Sequence, residues 1–231
     1  MSPLVVSHVS GIARDASPDS GEYPDDFDIN DEQIFCRDLA EAALLSTPVN
    51  EPGTTFLYSN WGYMVAGYVI EELTGALWEE AVAKRLFLPL GIDLGDDPTD
   101  YTGAANNNVD PWGHSGRDLT PCDRSLPGDN PFMFPFCDVI SAYRPAPGLS
   151  GAVAVMARYF AWHIQCHNGD ISVDDPSASL LSQESCQRIH QPFNTSIDEQ
   201  YGYRWKCKTV EWAEGLACTH GGSNDLNLYD V

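Results

Sequence analysis

Residues 61 to 74 constrain the fold more than any other stretch of this chain. From Trp61 to Thr74 the sequence is mostly apolar, with its acids confined to Glu71 and Glu72. Pro52-Gly53 marks a turn upstream, and Gly75 supplies a helix stop downstream. A helix that is apolar on most sides is stable only when it is buried, so other elements must wrap around it. The chain has 231 residues, 43% of them hydrophobic, which is enough to build that core as one large domain or two small ones.

The flanking segments read as partners for this helix. Asn30 and Gln33 have the spacing of a capping box, and Phe35, Leu39, Ala42 and Ala43 give the helix they open an apolar face. An amphipathic helix is predicted from about Leu77 to Phe87, ending before Pro89-Leu90-Gly91. Residues 93 to 149 are dominated by Gly, Pro, Asn and Asp, as expected of long loops. Ser150 is placed to cap a helix running through Val153, Met156, Tyr159, Phe160 and Ile164, with Asn168-Gly169 as its stop. A shorter helix spans Ser182 to His190. Tyr201 to Val210 and Leu216 to His220 are predicted to pair as strands. The expected class is α+β, a helical region followed by the start of a sheet.

The formal net charge of -22, from 34 acidic and 12 basic residues, repels phosphate backbones and anionic headgroups, so nucleic acid and membrane surfaces are poor partners. No apolar stretch is long enough to span a bilayer, and Met1 to Ile12 has neither a basic start nor a long apolar run. Seven cysteines (Cys36, Cys122, Cys137, Cys166, Cys186, Cys207 and Cys218) are scattered without a Cys-x-x-Cys pair, which argues against a zinc knuckle. The odd count leaves at least one thiol free or paired with another chain. Reduced, buried cysteines are the expectation, with Cys122 and Cys137 able to bridge in an oxidising compartment. Neither compartment nor oligomeric state is legible.

The strongest local signal is Pro52-Gly53-Thr54-Thr55-Phe56-Leu57-Tyr58-Ser59-Asn60-Trp61-Gly62-Tyr63, running into the apolar helix and Glu72-Leu73-Thr74-Gly75. This block resembles the Tyr-x-Asn motif of the serine β-lactamase and penicillin-binding-protein family, which includes class C β-lactamases, D-alanyl-D-alanine carboxypeptidases and related esterases. Further matches follow the family's order. Ser7-His8-Val9-Ser10-Gly11-Ile12 resembles a Ser-His-Thr-Ser-Gly-Leu segment, and Leu86-Phe87-Leu88-Pro89-Leu90-Gly91-Ile92 resembles a Pro-Leu-Gly segment. Pro145-Ala146-Pro147-Gly148-Leu149 resembles a Pro-Ala-Gly-Gly-Leu turn, stiffened here by Pro147. Thr219-His220-Gly221-Gly222-Ser223-Asn224 resembles the third motif, Lys-Thr-Gly or His-x-Gly. The resemblance implies a β-lactamase/transpeptidase-like fold, mainly its helical domain with a partial antiparallel sheet.

It also implies an acyl-transfer site without a cofactor, acting on a small-molecule, peptide or ester substrate. Such chemistry needs a nucleophile, a proton acceptor and donors for the oxyanion. Tyr58 would share the proton-accepting role, which requires positive charge beside a phenol that ordinarily titrates near 10. Asn60 would hydrogen-bond the substrate carbonyl or the family's lysine, and His220 would donate near the Tyr58 oxygen and the substrate. Ser59, the variable middle residue of its motif, would lie beside substrate with Gly221, Gly222 and Ser223, and the Ser223 N–H would supply an oxyanion donor.

The family's nucleophile is the serine of a Ser-x-x-Lys motif. The three lysines, Lys84, Lys206 and Lys208, are preceded at that spacing by Ala81, Tyr203 and Trp205, so these 231 residues contain no such motif. The expectation is therefore a β-lactamase-related domain over 1–231, lacking the nucleophile segment and the closing strands and helix, and inactive as this chain. The alternative is a non-catalytic binding or vestigial module. His163 and His167 have the spacing of a two-histidine metal site, but no third ligand is evident and a solvated helix end explains them. The spacing of His8, His114 and His220 does not point to a metal, and none is expected. Gly113-His114-Ser115-Gly116-Arg117 lacks the last glycine of a nucleophile elbow.

Overall fold

The computed structural model describes residues 3–14, 36–92, 114–115, 120–121, 133–134, 138–139, 143–146, 153–193, 201–213, 215–223 and 228–230. Six α-helices lie among them: α1 (Pro3–Val6), α2 (Cys36–Leu45), α3 (Asn60–Thr74), α4 (Trp78–Val82), α5 (Val153–Asn168) and α6 (Gln183–Ile189). Eight short strands form four antiparallel pairs. These are β1 (His114–Ser115) with β2 (Thr120–Pro121), β3 (Met133–Phe134) with β4 (Asp138–Val139), β5 (Lys206–Val210) with β6 (Gly215–Thr219), and β7 (Gly221–Ser223) with β8 (Leu228–Asp230).

The apolar run forms α3 as its composition requires. Its N-cap is Ser59, in extended conformation, whose hydroxyl accepts a hydrogen bond from the Gly62 N–H. Its C-cap is Gly75 in the left-handed region, whose N–H reaches the Glu71 carbonyl. Trp61 and Met64 are fully enclosed and pack with Leu39, Ala40 and Ala43 of α2 and with Tyr143. Each such large side chain stabilises the fold by roughly 1.5–3 kcal/mol on burial. Where α3 meets α2 the contact closes to backbone: a Cβ on Gly67 would stand 2.7 Å from the Pro145 Cβ and 3.1 Å from the Cys36 Sγ. Cys36 donates its S–H to the Met64 carbonyl at 3.2 Å, and burial pushes the thiol up to about 12.

The second predicted helix divides. The α-helix ends at Val82, and Ala83–Phe87 winds as a π-helical turn that places Ala83 and Phe87 in a small core with Ile92. Arg144 meets Glu79 of α4 at 3.0 Å, both side chains largely buried. The strand prediction holds: β5 and β6 pair with Cys207 opposite Cys218. The caps expected at Asn30 and Ser150, and the Pro147 turn, lie outside the described residues.

The cysteine expectation is corrected. Cys207 and Cys218 are disulfide-bonded across the hairpin, and a second disulfide, Cys166 to Cys186, joins α5 to α6. Partners 11 and 20 residues apart are brought together by strand register and helix packing, which spacing alone does not reveal. Cys36 is the free, buried thiol among the described residues; Cys122 and Cys137 fall outside them.

Candidate active site

Residues 8–14 lie alongside residues 49–60 and hold the Tyr58 motif in place. The Val49 N–H donates to Gly11, Gly53 to Val9, Leu57 to His8 and Asn60 to Arg14, at 2.7–2.9 Å. Gly11 has a φ of 80°, and any Cβ there would collide with the Asn50 carbonyl, so glycine is required for this close approach. The two segments matched at the sequence level, Ser7–Ile12 and Pro52–Tyr63, are thus two sides of one structure.

Tyr58, half-buried, projects into an aromatic cluster. Its ring lies 4.2 Å from the His8 ring, centroid to centroid. His8 also contacts Phe56, Tyr63 and Tyr201 at 5.7, 5.3 and 5.0 Å. Tyr201 in turn meets His220 edge-on at 6.4 Å. His220 occupies the single-residue break between β6 and β7. The Tyr58 motif and the His220 motif therefore meet through His8 and Tyr201 in one cluster. The Arg14 guanidinium stands over the Tyr58 ring, 5.8 Å from its centroid.

Asn60 is the first residue of α3, half-buried, with its N–H bound to the Arg14 carbonyl. Gly221 and Gly222 form β7 with the Ser223 backbone, paired to β8. Ser59 departs from a substrate-contacting role. Its side chain is 1% exposed, and its hydroxyl donates to the Ala13 carbonyl at 2.6 Å while capping α3. The local reason is the cap itself: a serine at this position satisfies an otherwise orphaned helix N–H.

Within the cluster, burial favours the neutral forms of the His8, Tyr63 and Tyr201 rings. Burial, with the nearby His220 and Arg204 charges, lowers the His8 imidazole to about 3. Burial raises the Tyr63 and Tyr201 phenols well above their ordinary value, with Arg204 opposing the rise. Tyr201 and Arg204 were not singled out from the sequence. Their signal is faint, because Tyr201 precedes the strand and Arg204 occupies a tight turn with a φ of 78°.

The histidines of α5 are also corrected. His163 is buried rather than solvated, and it meets His190, the C-cap of α6. The His163 Nδ1 lies 3.1 Å from the His190 Nε2, and the His167 Nδ1 lies 3.0 Å from the His190 Nδ1. His190 turns a different nitrogen to each neighbour, so the three rings form a hydrogen-bonded row instead of converging on a point. Among the described residues, no group of three or more His, Cys, Asp or Glu is placed to hold a metal ion. No helix there is long and apolar enough to cross a membrane.

The beta-lactamase family model matches residues 5–229, and the chain belongs to that family of β-lactamase-like serine hydrolases. It is 34% identical over 88 residues to penicillin-binding protein 4 of Amycolatopsis lactamdurans, covering 38% of this chain and 21% of that protein. It is 24% identical over 218 residues to the unguisins hydrolase of Aspergillus campestris, covering 91% of this chain and 36% of that one. Among solved structures, a D-stereospecific amidohydrolase from Streptomyces superposes with a TM-score of 0.62 at 18% identity, covering 96% of this chain and 60% of that one. The chain thus spans less than two thirds of the length of each. The superposition establishes the β-lactamase/transpeptidase-like fold.

Proposed function

We propose that these residues carry the tyrosine–histidine half of an acyl-transfer site for a small amide or ester, with Tyr58 as proton acceptor and His220 as donor near it. Asn60 would hold the substrate carbonyl, and the Gly221–Ser223 strand would supply room and an oxyanion N–H. The observation that carries this reading is the single cluster of Tyr58, His8, Tyr201 and His220, built from motifs at opposite ends of the chain. The similarity to a D-stereospecific amidohydrolase supports amide substrates, and the similarity to an unguisins hydrolase supports hydrolysis.

As these 231 residues, the chain would bind such a substrate without forming an acyl-enzyme, because no serine is followed three residues later by a lysine. That same absence favours a second reading, a non-catalytic binding module. Labelling the purified chain with a fluorescent penicillin and a fluorophosphonate, followed by mass mapping, tests the first point. No adduct is expected, and a stoichiometric adduct on any serine would refute it. Reversible penicillin binding that is weakened by Tyr58→Phe and His220→Ala is expected. Binding that ignores both substitutions would remove the site assignment.

A further inference from the structure

We propose that His8 is the positioning residue of Tyr58, clamping the peptide units on both sides of it and stacking against its ring. The inference rests on the reading of Tyr58 as a site residue. His8 reaches the Tyr58 segment at three places. Its carbonyl accepts from the Leu57 N–H at 2.8 Å, and its Nδ1 accepts from the Ser59 N–H at 3.0 Å. Between those two anchors, its ring faces the Tyr58 ring at 4.2 Å with planes 33° apart. Tyr58 is therefore held at the residue before it, the residue after it and the side chain.

One residue makes all three contacts while in an uncommon conformation. His8 has a φ of 59°, in the left-handed region that non-glycine residues seldom adopt. Such a conformation persists where surrounding structure over-determines it, and here the surroundings are the Tyr58 segment. The tautomer follows from the donor: with the Ser59 N–H on Nδ1, the ring is neutral and its proton sits on Nε2. That Nε2–H is buried and has no hydrogen-bond partner among the described residues, so the ring is kept for its acceptor and its face. The groups around it are Phe56, Tyr58, Tyr63 and Tyr201, with His220 and Arg204 close enough to oppose a charge on the ring. All of them favour the neutral form that the clamp needs.

The test follows Tyr58 directly and does not depend on turnover. The full chain is labelled with carbon-13 at the tyrosine Cζ, and Tyr58→Phe identifies the Tyr58 signal. His8→Asn tolerates the left-handed backbone and offers an amide oxygen to the Ser59 N–H without a ring, whereas His8→Ala offers neither. Tyr68, on α3 and outside the cluster, serves as internal control. In His8→Asn the Tyr58 signal is expected to shift while remaining a single line. In His8→Ala it is expected to broaden as well, and the phenol midpoint to move by about half a pH unit or more. Tyr68 should be unchanged in both. If His8→Ala does not fold, His8→Asn decides alone. A Tyr58 signal and titration matching the parent protein in a folded His8 variant would overturn the proposal. So would equal movement of every tyrosine, which is the mark of a general structural role. Failure of penicillin binding to respond to Tyr58→Phe would sink the site reading and leave this measurement standing.

Discussion

Removing the Ser59 hydroxyl separates a structural serine from a reactive one. In Ser59→Ala two hydrogen bonds disappear together: the cap to the Gly62 N–H at 2.9 Å and the bond to the Ala13 carbonyl at 2.6 Å. Loss of a serine N-cap costs about 1 kcal/mol, within a range of roughly 0.5–2. Leaving a buried carbonyl without its partner costs about 1–3 kcal/mol more. The expected loss is therefore about 2–4 kcal/mol, a substantial part of the ~5–15 kcal/mol that holds a domain together. For a chain of this size that corresponds to a fall in Tm of roughly 5–15 °C. Urea unfolding followed by tryptophan fluorescence measures it, since Trp61 sits fully enclosed two residues beyond the cap. Ser59→Gly divides the effect, because glycine replaces a serine cap at a cost of only a few tenths of a kcal/mol. What remains in that variant is mainly the orphaned Ala13 carbonyl, together with glycine's added backbone freedom. A change below about 0.5 kcal/mol in Ser59→Ala would refute the assignment of this hydroxyl to the fold.

Three further outcomes follow from the packing and the buried charges. Gly67→Ala gains about 1 kcal/mol of helix propensity but meets Pro145 and Cys36, and overpacking of about 1–3 kcal/mol should make it net destabilising in urea; a more stable variant would show that α2 and α3 separate easily. Glu79→Gln removes the charge partner of Arg144, whose Nε has no hydrogen-bond partner among the described residues. Thermal unfolding should reveal a loss of about 2–4 kcal/mol, and an unchanged Tm would show the pair to be solvated. Burial, with help from neighbouring His167 for one and from His190 and Arg204 for the other, lowers His190 to about 4 and His163 to about 3. The unfolded chain takes up these protons first, so their contribution is complete above about pH 6.5 and is lost as pH falls toward 4–3, by up to about 1.4 kcal/mol per pH unit per group. Denaturant midpoints at pH 7 and pH 5 should diverge more for the parent chain than for His163→Phe, and equal divergence would contradict the neutral row.

The parts of this protein that rest on short-range physics are legible in its residues. An apolar run between a turn and Gly75 can only be a buried helix, and α3 is that helix, capped by Ser59 and stopped in the left-handed region. The β5–β6 hairpin was legible because aromatic and polar residues alternate from Tyr201 to Val210, before a turn and the Leu216 to His220 run. The order of the motifs around Tyr58, Asn60 and His220 carries the family resemblance. Tertiary structure decided what depends on distant residues coming together. The two disulfides need a strand register and a helix pairing that no spacing encodes. His190 joined His163 and His167 only because α6 packs on α5. His8 was visible as a motif letter, but its hold on Tyr58 required residues some fifty positions apart to share a pair of hydrogen bonds. Ser59 shows the same limit: its motif position points to substrate, whereas its hydroxyl caps α3 and is held by the Ala13 carbonyl, from a segment the local pattern does not contain.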